Sequence, residues 1–251
     1  MSSEKTLISV VCKIANEEAT VVDFTTSILH QFDIAKSKNI NCHLIYILDK
    51  FNLDRTRQII EACAIDDARV TFFYSEDTKT LVDSDILAYR KGIESKSDWV
   101  VDINAGFRHQ PEDLQPFFDL AVSGQFDAIC GARFQKDGHF YARSLQRRIL
   151  SRAGTVIGNL LLGLRFNDLT SGFIMFRREI LIQILSEPLN SKYHFLQTEL
   201  KWRLNSLTTN YIEIPILYRS NSGPLKAKVI VDSVLNLFRL MILNVFGKLR
   251  K

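Results

Sequence analysis

Trp99-Val100-Val101-Asp102-Ile103-Asn104-Ala105-Gly106-Phe107-Arg108-His109-Gln110-Pro111-Glu112-Asp113 opens as a short apolar run and breaks into a polar loop carrying Gly and Pro. Trp99 to Ile103 therefore reads as a buried strand ending in a turn. Side chains alternate along an extended segment, so Asp102 and Asn104 share one side. Upstream the pattern repeats: Leu7 to Cys12, His43 to Leu48 and Val70 to Tyr74 read as strands. Between them Thr20 to Ala35, Arg55 to Ala64 and Leu81 to Ser95 have apolar residues at helical spacing. Strands alternating with helices imply an α/β fold with right-handed crossovers and a mostly parallel sheet, which binds ligands beyond the carboxyl ends of its strands. Chemistry is expected in the loops after Cys12, Leu48 and Ile103.

Downstream of Phe134 the alternation loosens into a long helix from Leu145 to Leu164, a turn at Asn167 to Gly172, a helix near Arg178 to Leu185 and a strand from Tyr211 to Tyr218. No repeat or Pro/Gly-rich linker divides the chain. The segment Val229 to Phe246 is apolar but interrupted by Asp232, Ser233, Asn236, Arg239 and Asn244, and reads as falling short of a spanning helix. With Lys248, Arg250 and Lys251 behind it, it either lies in a membrane interface or packs on the core. Residues 1–228 are taken as the main domain and 229–251 as a C-terminal amphipathic helix.

The 251 residues suffice for a substantial core, and 46% hydrophobic against 24% charged residues is ordinary globular composition. Lys and Arg exceed Asp and Glu by only 32 to 28, too little and too dispersed for a nucleic-acid binder. Anionic small substrates or an anionic membrane surface remain compatible. Cys12, Cys42, Cys63 and Cys130 lack CxxC spacing, and three of them sit in or beside apolar runs, where a thiol acts as a small hydrophobe. The polar stretch Met1 to Thr6 has no apolar signal region, so the expected place is the cytoplasm, peripheral at the inner face of the membrane.

Asp49 and Asp54 flank the end of the second strand, where a carboxylate can accept hydrogen bonds from a base or ribose. Helix capping is the simpler role for Asn52 and Asp54. Oxygens on Asp102 and Asn104 suit Mg²⁺ or Mn²⁺. Taken alone, His109 reads as a packed or solvated imidazole.

At these residues the sequence resembles the inverting family 2 glycosyltransferases that include dolichol-phosphate mannosyltransferase. Asn16-Glu17-Glu18 resembles a P-x-x-N-E-E loop, Asp49 to Thr56 a D-D-G-S-x-D-x-T element, and Asp102 to Pro111 a D-A-D or D-A-G segment followed by F-S-H-x-P. Cys130 to Phe134 is similar to a G-S-R-Y strand end, and Ser151 to Gly154 to S-R-G-A. Asp168-Leu169-Thr170-Ser171-Gly172-Phe173 is the most diagnostic string. Gln197-Thr198-Glu199, Glu213 to Ile216, and Tyr218-Arg219 with Lys226 resemble F-Q-x-E, E-V-P-I and a basic loop over the donor diphosphate.

The resemblance implies a GT-A fold and sugar transfer, with inversion, from a GDP- or UDP-linked donor to a polyprenyl phosphate. It implies catalytic roles for Asn104, Arg133, Arg147 and Asp168, and a metal held by Asp102 and Asn104. Substrate contacts would come from Lys13, Asn16, Glu17, Asp49, Asp102, Ala105, Gly106, Ser151, Arg219 and Lys226. Guanidinium forks suit the oxygens of an acceptor phosphate. If Arg133 holds that phosphate, Arg133→Ala is expected to abolish turnover and leave the fold intact. The expected partners are the nucleotide-sugar, the lipid phosphate, a membrane surface and a second copy of the chain, with no nucleic acid.

The sequence departs from the family at four places. Lys13 stands where proline is usual, Ala15 where an aromatic is common, and Lys50 in place of a second aspartate. Asn104 and Gly106 stand in a D-A-D segment, and an amide oxygen is a weaker cation ligand than a carboxylate. A degenerate member that binds nucleotide or a partner without turnover is the alternative reading.

Overall fold

A computed structural model describes residues 5–220 and 223–248. The expected alternation is present: β1 (Thr6–Lys13), α1 (Val21–Lys36), β2 (Ile40–Asp49), α2 (Thr56–Asp66), β3 (Val70–Ser75), α3 (Leu81–Glu94) and β4 (Trp99–Asp102). These strands are parallel neighbours, with Val10 of β1 opposite both Leu44 and Val101. The near-continuous apolar runs of β1, β2 and β4 follow from burial on both faces, whereas β3 lies at the sheet edge.

The second half adds α4 (Leu114–Val122), β5 (Ala128–Ala132), β6 (His139–Ala142), α5 (Leu145–Leu162), β7 (Ile174–Arg177), α6 (Arg178–Ile184), α7 (Leu196–Leu207), β8 (Tyr211–Pro215), β9 (Leu217–Ser220) and α8 (Ala227–Lys248). The seven-stranded sheet has the order β3-β2-β1-β4-β7-β5-β8, and only β7 runs antiparallel to its neighbours. Inserting β7 between β4 and β5 brings the Asp168 to Phe173 loop beside the end of β4.

The single strand expected over Tyr211 to Tyr218 is two. Pro215 has no N–H to continue the ladder, and beyond it β9 leaves the main sheet to pair with β6. The helix from Leu145 stops at Leu162 because Gly163 takes φ +68, the left-handed cap that glycine adopts without strain. The thiols of Cys12, Cys42 and Cys130 are buried, and burial pushes Cys42 and Cys130 up to about 12, as befits small hydrophobes.

The C-terminal segment corrects one expectation. Ala227–Phe246 is one helix, long and apolar enough to cross a membrane by length and composition. Most of its polar interruptions fall on the side facing the protein: Asp232, Ser233, Asn236 and Asn244 are half-buried, and only Arg239 is exposed. Asn244 donates to the Leu162 carbonyl at 2.7 Å and accepts from Trp202 Nε1 at 3.1 Å, tying α8 to α5 and α7. Val231, Val234, Leu235, Phe238, Ile242, Val245 and Phe246 point outward. The helix packs Val229, Leu240 and these polar groups against the protein and still leaves a broad apolar face outward. α5 is alike, burying Thr155, Gly158 and Leu162 while exposing Leu145, Ile149, Val156 and Leu160. Arg250 and Lys251 of the basic end lie outside the described residues.

Asp113, next to α4, accepts a hydrogen bond from the Leu217 amide of β9 at 3.1 Å, and desolvation pushes its carboxyl up to about 6. A raised folded-state pKa means that its contribution to stability is present below the unfolded value near 3.8 and is lost as pH rises through about 6. Asp113→Asn keeps an acceptor oxygen but removes the charge. Melting curves should show the variant gaining stability over the parent chain as pH is raised from about 4 to about 7, with no gain at the acid end.

Candidate active site

The carboxyl ends of β1, β2 and β4 are each tied to α3. The Lys13 ammonium donates to Asp85. Asp49 accepts from Ser84 Oγ at 3.1 Å and from the Phe51 amide at 3.0 Å. Asp102 Oδ2 accepts from Tyr89 Oη at 3.3 Å, and its Oδ1 is buried without a partner. Asp85 and Tyr89 lie about one turn apart, with Ser84 next to Asp85, all on the buried side of α3. A capping box between Thr80 and Asp83 fixes where that helix starts.

The loop after β4 folds back onto the loop after β1. Gly106 has φ +65, and a Cβ there would stand 2.4 Å from Glu17 Oε2. Glu17 also pairs with Arg108 at 2.7 Å. Asn16 joins the loop after β2, donating to the Phe51 carbonyl at 2.9 Å and accepting from the Leu53 amide at 2.8 Å. Asp54 does not occupy the N-cap of α2, which is Arg55; it accepts from the Thr56 amide at 2.9 Å and from the Glu18 amide at 3.1 Å, joining the loops after β1 and β2.

His109 is buried, stacked on Phe173 at 4.5 Å, and its Nδ1 accepts from the Asn104 amide at 3.0 Å. It is thus a packed imidazole. Desolvation first, then the charges of Arg133, Lys13 and Arg108, hold it far below the usual imidazole range, so it is neutral. Desolvation, with Arg147 and Lys13, takes His194 down to about 4.

Arg133, at the end of β5, is buried against Asp168. Nε reaches Oδ2 at 2.7 Å, while Nη2 reaches Oδ1 at 2.9 Å and Thr170 Oγ1 at 2.6 Å. Burial alone would raise the Asp168 carboxyl, but the charge and hydrogen bonds of Arg133, with the charge of Lys201, bring it below its ordinary value. Arg147, half-buried on α5, makes no hydrogen bond or ion pair among the described residues. Desolvation, with the charges of Arg133 and Arg108, lowers its pKa.

These groups open on a cleft of about 600 Å³. Lys13, Asp49, Asn104, Arg133, Arg147 and Ser151 line it, so six of the expected residues converge there. Leu150 and Ile157 of α5 and Ile230, Val234 and Leu237 of α8 supply an apolar wall. Asn16 and Glu17 line instead a neighbouring hollow of about 430 Å³. Asp168 and Asp102 sit beneath the cleft, Ala105 is buried in its loop, and Arg219 and Lys226 are exposed outside it. Sequence reasoning missed Ser84, Asp85 and Tyr89. The signal was present: Val82, Asp85, Tyr89 and Gly92 keep core spacing, and an aspartate interrupts that stripe.

The implied Mg²⁺ or Mn²⁺ would have one unpartnered oxygen of Asp102 and the amide of Asn104. Burial pushes the Asp102 carboxyl up, with the Lys13 charge opposing from nearby. No group of three His, Cys, Asp or Glu side chains converges among the described residues. One carboxylate and one amide beside an ammonium are too few and too positive to fit a divalent cation.

The sequence matches glycosyl transferase family 2 over residues 9–185. It is 24% identical to the undecaprenyl-phosphate mannosyltransferase of Micrococcus luteus, covering 78% of this chain and 81% of that protein. It is 26% identical to the polyprenol monophosphomannose synthase of Mycolicibacterium smegmatis over 69% of this chain and 66% of that protein. Among solved structures, glucosyl-3-phosphoglycerate synthase from Mycobacterium tuberculosis with uridine diphosphate superposes with a TM-score of 0.63. The two are 15% identical, over 94% of this chain and 80% of that one. The same synthase with Mn²⁺, uridine diphosphate and phosphoglyceric acid gives 0.59 at 15% identity, over 96% and 78%.

The Arg133–Asp168 geometry corrects the expectation that Arg133→Ala leaves the fold intact, because removal would strand a buried carboxylate. Asp168→Ala, which strands the guanidinium, should cost about 3–5 kcal/mol in urea unfolding. The pair's contribution should fade as pH falls below the ordinary carboxylate range, since the folded carboxyl titrates lower than the unfolded one. Arg147→Ala, with no partner to strand, should stay within about 0.5 kcal/mol.

Proposed function

The chain belongs to glycosyl transferase family 2, and on that premise we propose that it transfers a sugar from a GDP- or UDP-linked donor to a polyprenyl phosphate. The observation that carries this reading is the composition of one cleft. An unpaired arginine, Arg147, and the engaged Arg133 share it with the apolar flanks of α5 and α8. A lipid phosphate has the same two parts, an anionic head and a hydrocarbon tail. The names of the two relatives, an undecaprenyl-phosphate mannosyltransferase and a polyprenol monophosphomannose synthase, support the same acceptor class.

The reaction is a displacement at the anomeric carbon. A phosphate oxygen of the acceptor forms the new C–O bond as the bond to the donor's diphosphate breaks, and the nucleoside diphosphate departs with that electron pair. The acceptor phosphate is already anionic near neutral pH, so positioning and charge stabilisation matter more than a general base. His109 and His194, neutral among cations, are suited to filling space and donating hydrogen bonds. Arg147 and Ser151 orient the acceptor, and Asp49 takes the base or ribose. No step is assigned to a metal ion, because the residues at Asp102 and Asn104 do not fit one.

Residues 1–228 form the transferase domain in this reading, and 229–251 carry it to the membrane as a peripheral protein at the inner face. The outward apolar faces of α5 and α8 support that placement. Binding without turnover is the second reading, favoured by the commitment of Arg133 to Asp168.

Purified protein incubated with a panel of GDP- and UDP-sugars and polyprenyl phosphate should release nucleoside diphosphate with one donor. Release that never exceeds the no-enzyme control would sink the transferase reading. Arg147→Ala should slow release about a hundredfold. In vesicle flotation the full chain should rise with anionic liposomes, and Val231→Ser/Leu235→Ser/Phe238→Ser should stay at the bottom. Equal flotation of both would contradict the membrane-facing role of α8.

A further inference from the structure

We propose that the Lys13 ammonium, anchored by Asp85, is the cation that neutralises the donor's diphosphate, in the place of a divalent metal ion. The inference rests on reading the cleft as a nucleotide-sugar site. Lys13 is the last residue of β1, between the ends of β2 and β4, where open α/β sheets take their ligands. Its ammonium has three donors, and Asp85 is its only hydrogen-bond partner among the described residues. The remaining N–H groups are free for phosphate oxygens at the cleft.

Asp85 explains why the ammonium is fixed. It is buried within the apolar stripe of α3, and Lys13 is its only cationic partner among the described residues. An unpaired buried carboxylate is costly, so the pair holds the ammonium in one place before any ligand arrives. Two other cleft cations are committed, Arg133 to Asp168 and Arg108 to Glu17, and the unpaired Arg147 stands away from the strand ends, on α5. At the strand ends the charge at hand is therefore that of Lys13.

Two sequence departures then have one physical meaning. An amide at Asn104 removes negative charge that would hold a dication, and an ammonium at Lys13 adds positive charge that would repel one. A diphosphate prefers both changes. It gains charge-assisted hydrogen bonds without needing an ion to bridge it to the protein.

Isothermal titration with UDP and GDP, in EDTA and again in excess Mn²⁺, tests this without relying on turnover. One of the two nucleotides should bind with affinities within about threefold in the two buffers, and Lys13→Met should weaken that binding in EDTA by about tenfold or more. The preference for diphosphate over the matching monophosphate should shrink in the variant, and Lys13→Arg should largely restore it. Because Lys13→Met leaves Asp85 unpaired, Lys13→Met/Asp85→Asn serves if the single variant does not fold. Nucleotide binding that requires Mn²⁺, or that survives unchanged in Lys13→Met or, where that does not fold, in Lys13→Met/Asp85→Asn, overturns the inference and leaves the transferase reading standing. Absence of binding by the parent chain in either buffer overturns the donor reading and this inference with it.

Discussion

A carboxylate with no exposure to solvent must be neutralised where it stands, and for Asp168 that duty falls on Arg133. The pair does more than cancel charge. Glu213 of β8 accepts the amides of Asn167 and Asp168, Thr155 of α5 accepts the amide of Leu169, and Lys201 of α7 reaches the Asp168 carbonyl. Four elements, β5, β8, α5 and α7, thus meet at one loop, and the cleft takes its wall from the residues that follow, Thr170 to Gly172. A hub of this kind is rigid because the Asp168 carboxylate and the amides of Asn167 to Leu169 each have a designated partner in a place where water cannot substitute.

The second organising constraint is the outward apolar face of α5 and α8. Helices on a globular surface usually turn apolar residues inward and polar ones outward. Here the inward faces carry Leu162, Val229 and Leu240 together with Thr155, Gly158, Asn236 and Asn244, and the outward faces carry leucine, isoleucine, valine and phenylalanine as well. Such an arrangement has a free-energy rationale only if the surroundings are partly apolar. The same two helices wall the cleft, so a hydrocarbon environment and the reacting groups share a border.

Most of the fold was legible. The strands up to Asp102 were legible because β1, β2 and β4 are apolar runs buried on both faces with a turn behind each, and the edge strand β3 is a short run rich in aromatic residues. α4 and α7 escaped although Leu114, Phe117, Phe118 and Ala121, and Leu196, Leu200 and Leu204, keep helical spacing. β7 is only four residues long and abuts a helix, which leaves no period to read. The strand-end side chains were legible as candidates, because topology alone assigns ligands to that edge. What lies under them was not: whether Arg133 faces a ligand or a buried aspartate is decided by tertiary contact, and Asp85 gains meaning only once α3 is laid across β1.

That placement of α3 has a consequence for how such a site can change. One helix supports three strand ends through Ser84, Asp85 and Tyr89, so a shift of its register by a single residue would dislodge all three partners together. A replacement at any one of those positions, by contrast, alters one strand end and leaves the other two supported. The scaffold is conservative towards insertion and permissive towards substitution. A lysine and its aspartate could therefore enter as a matched pair, rewriting the electrostatics of the site while the backbone around it kept its shape.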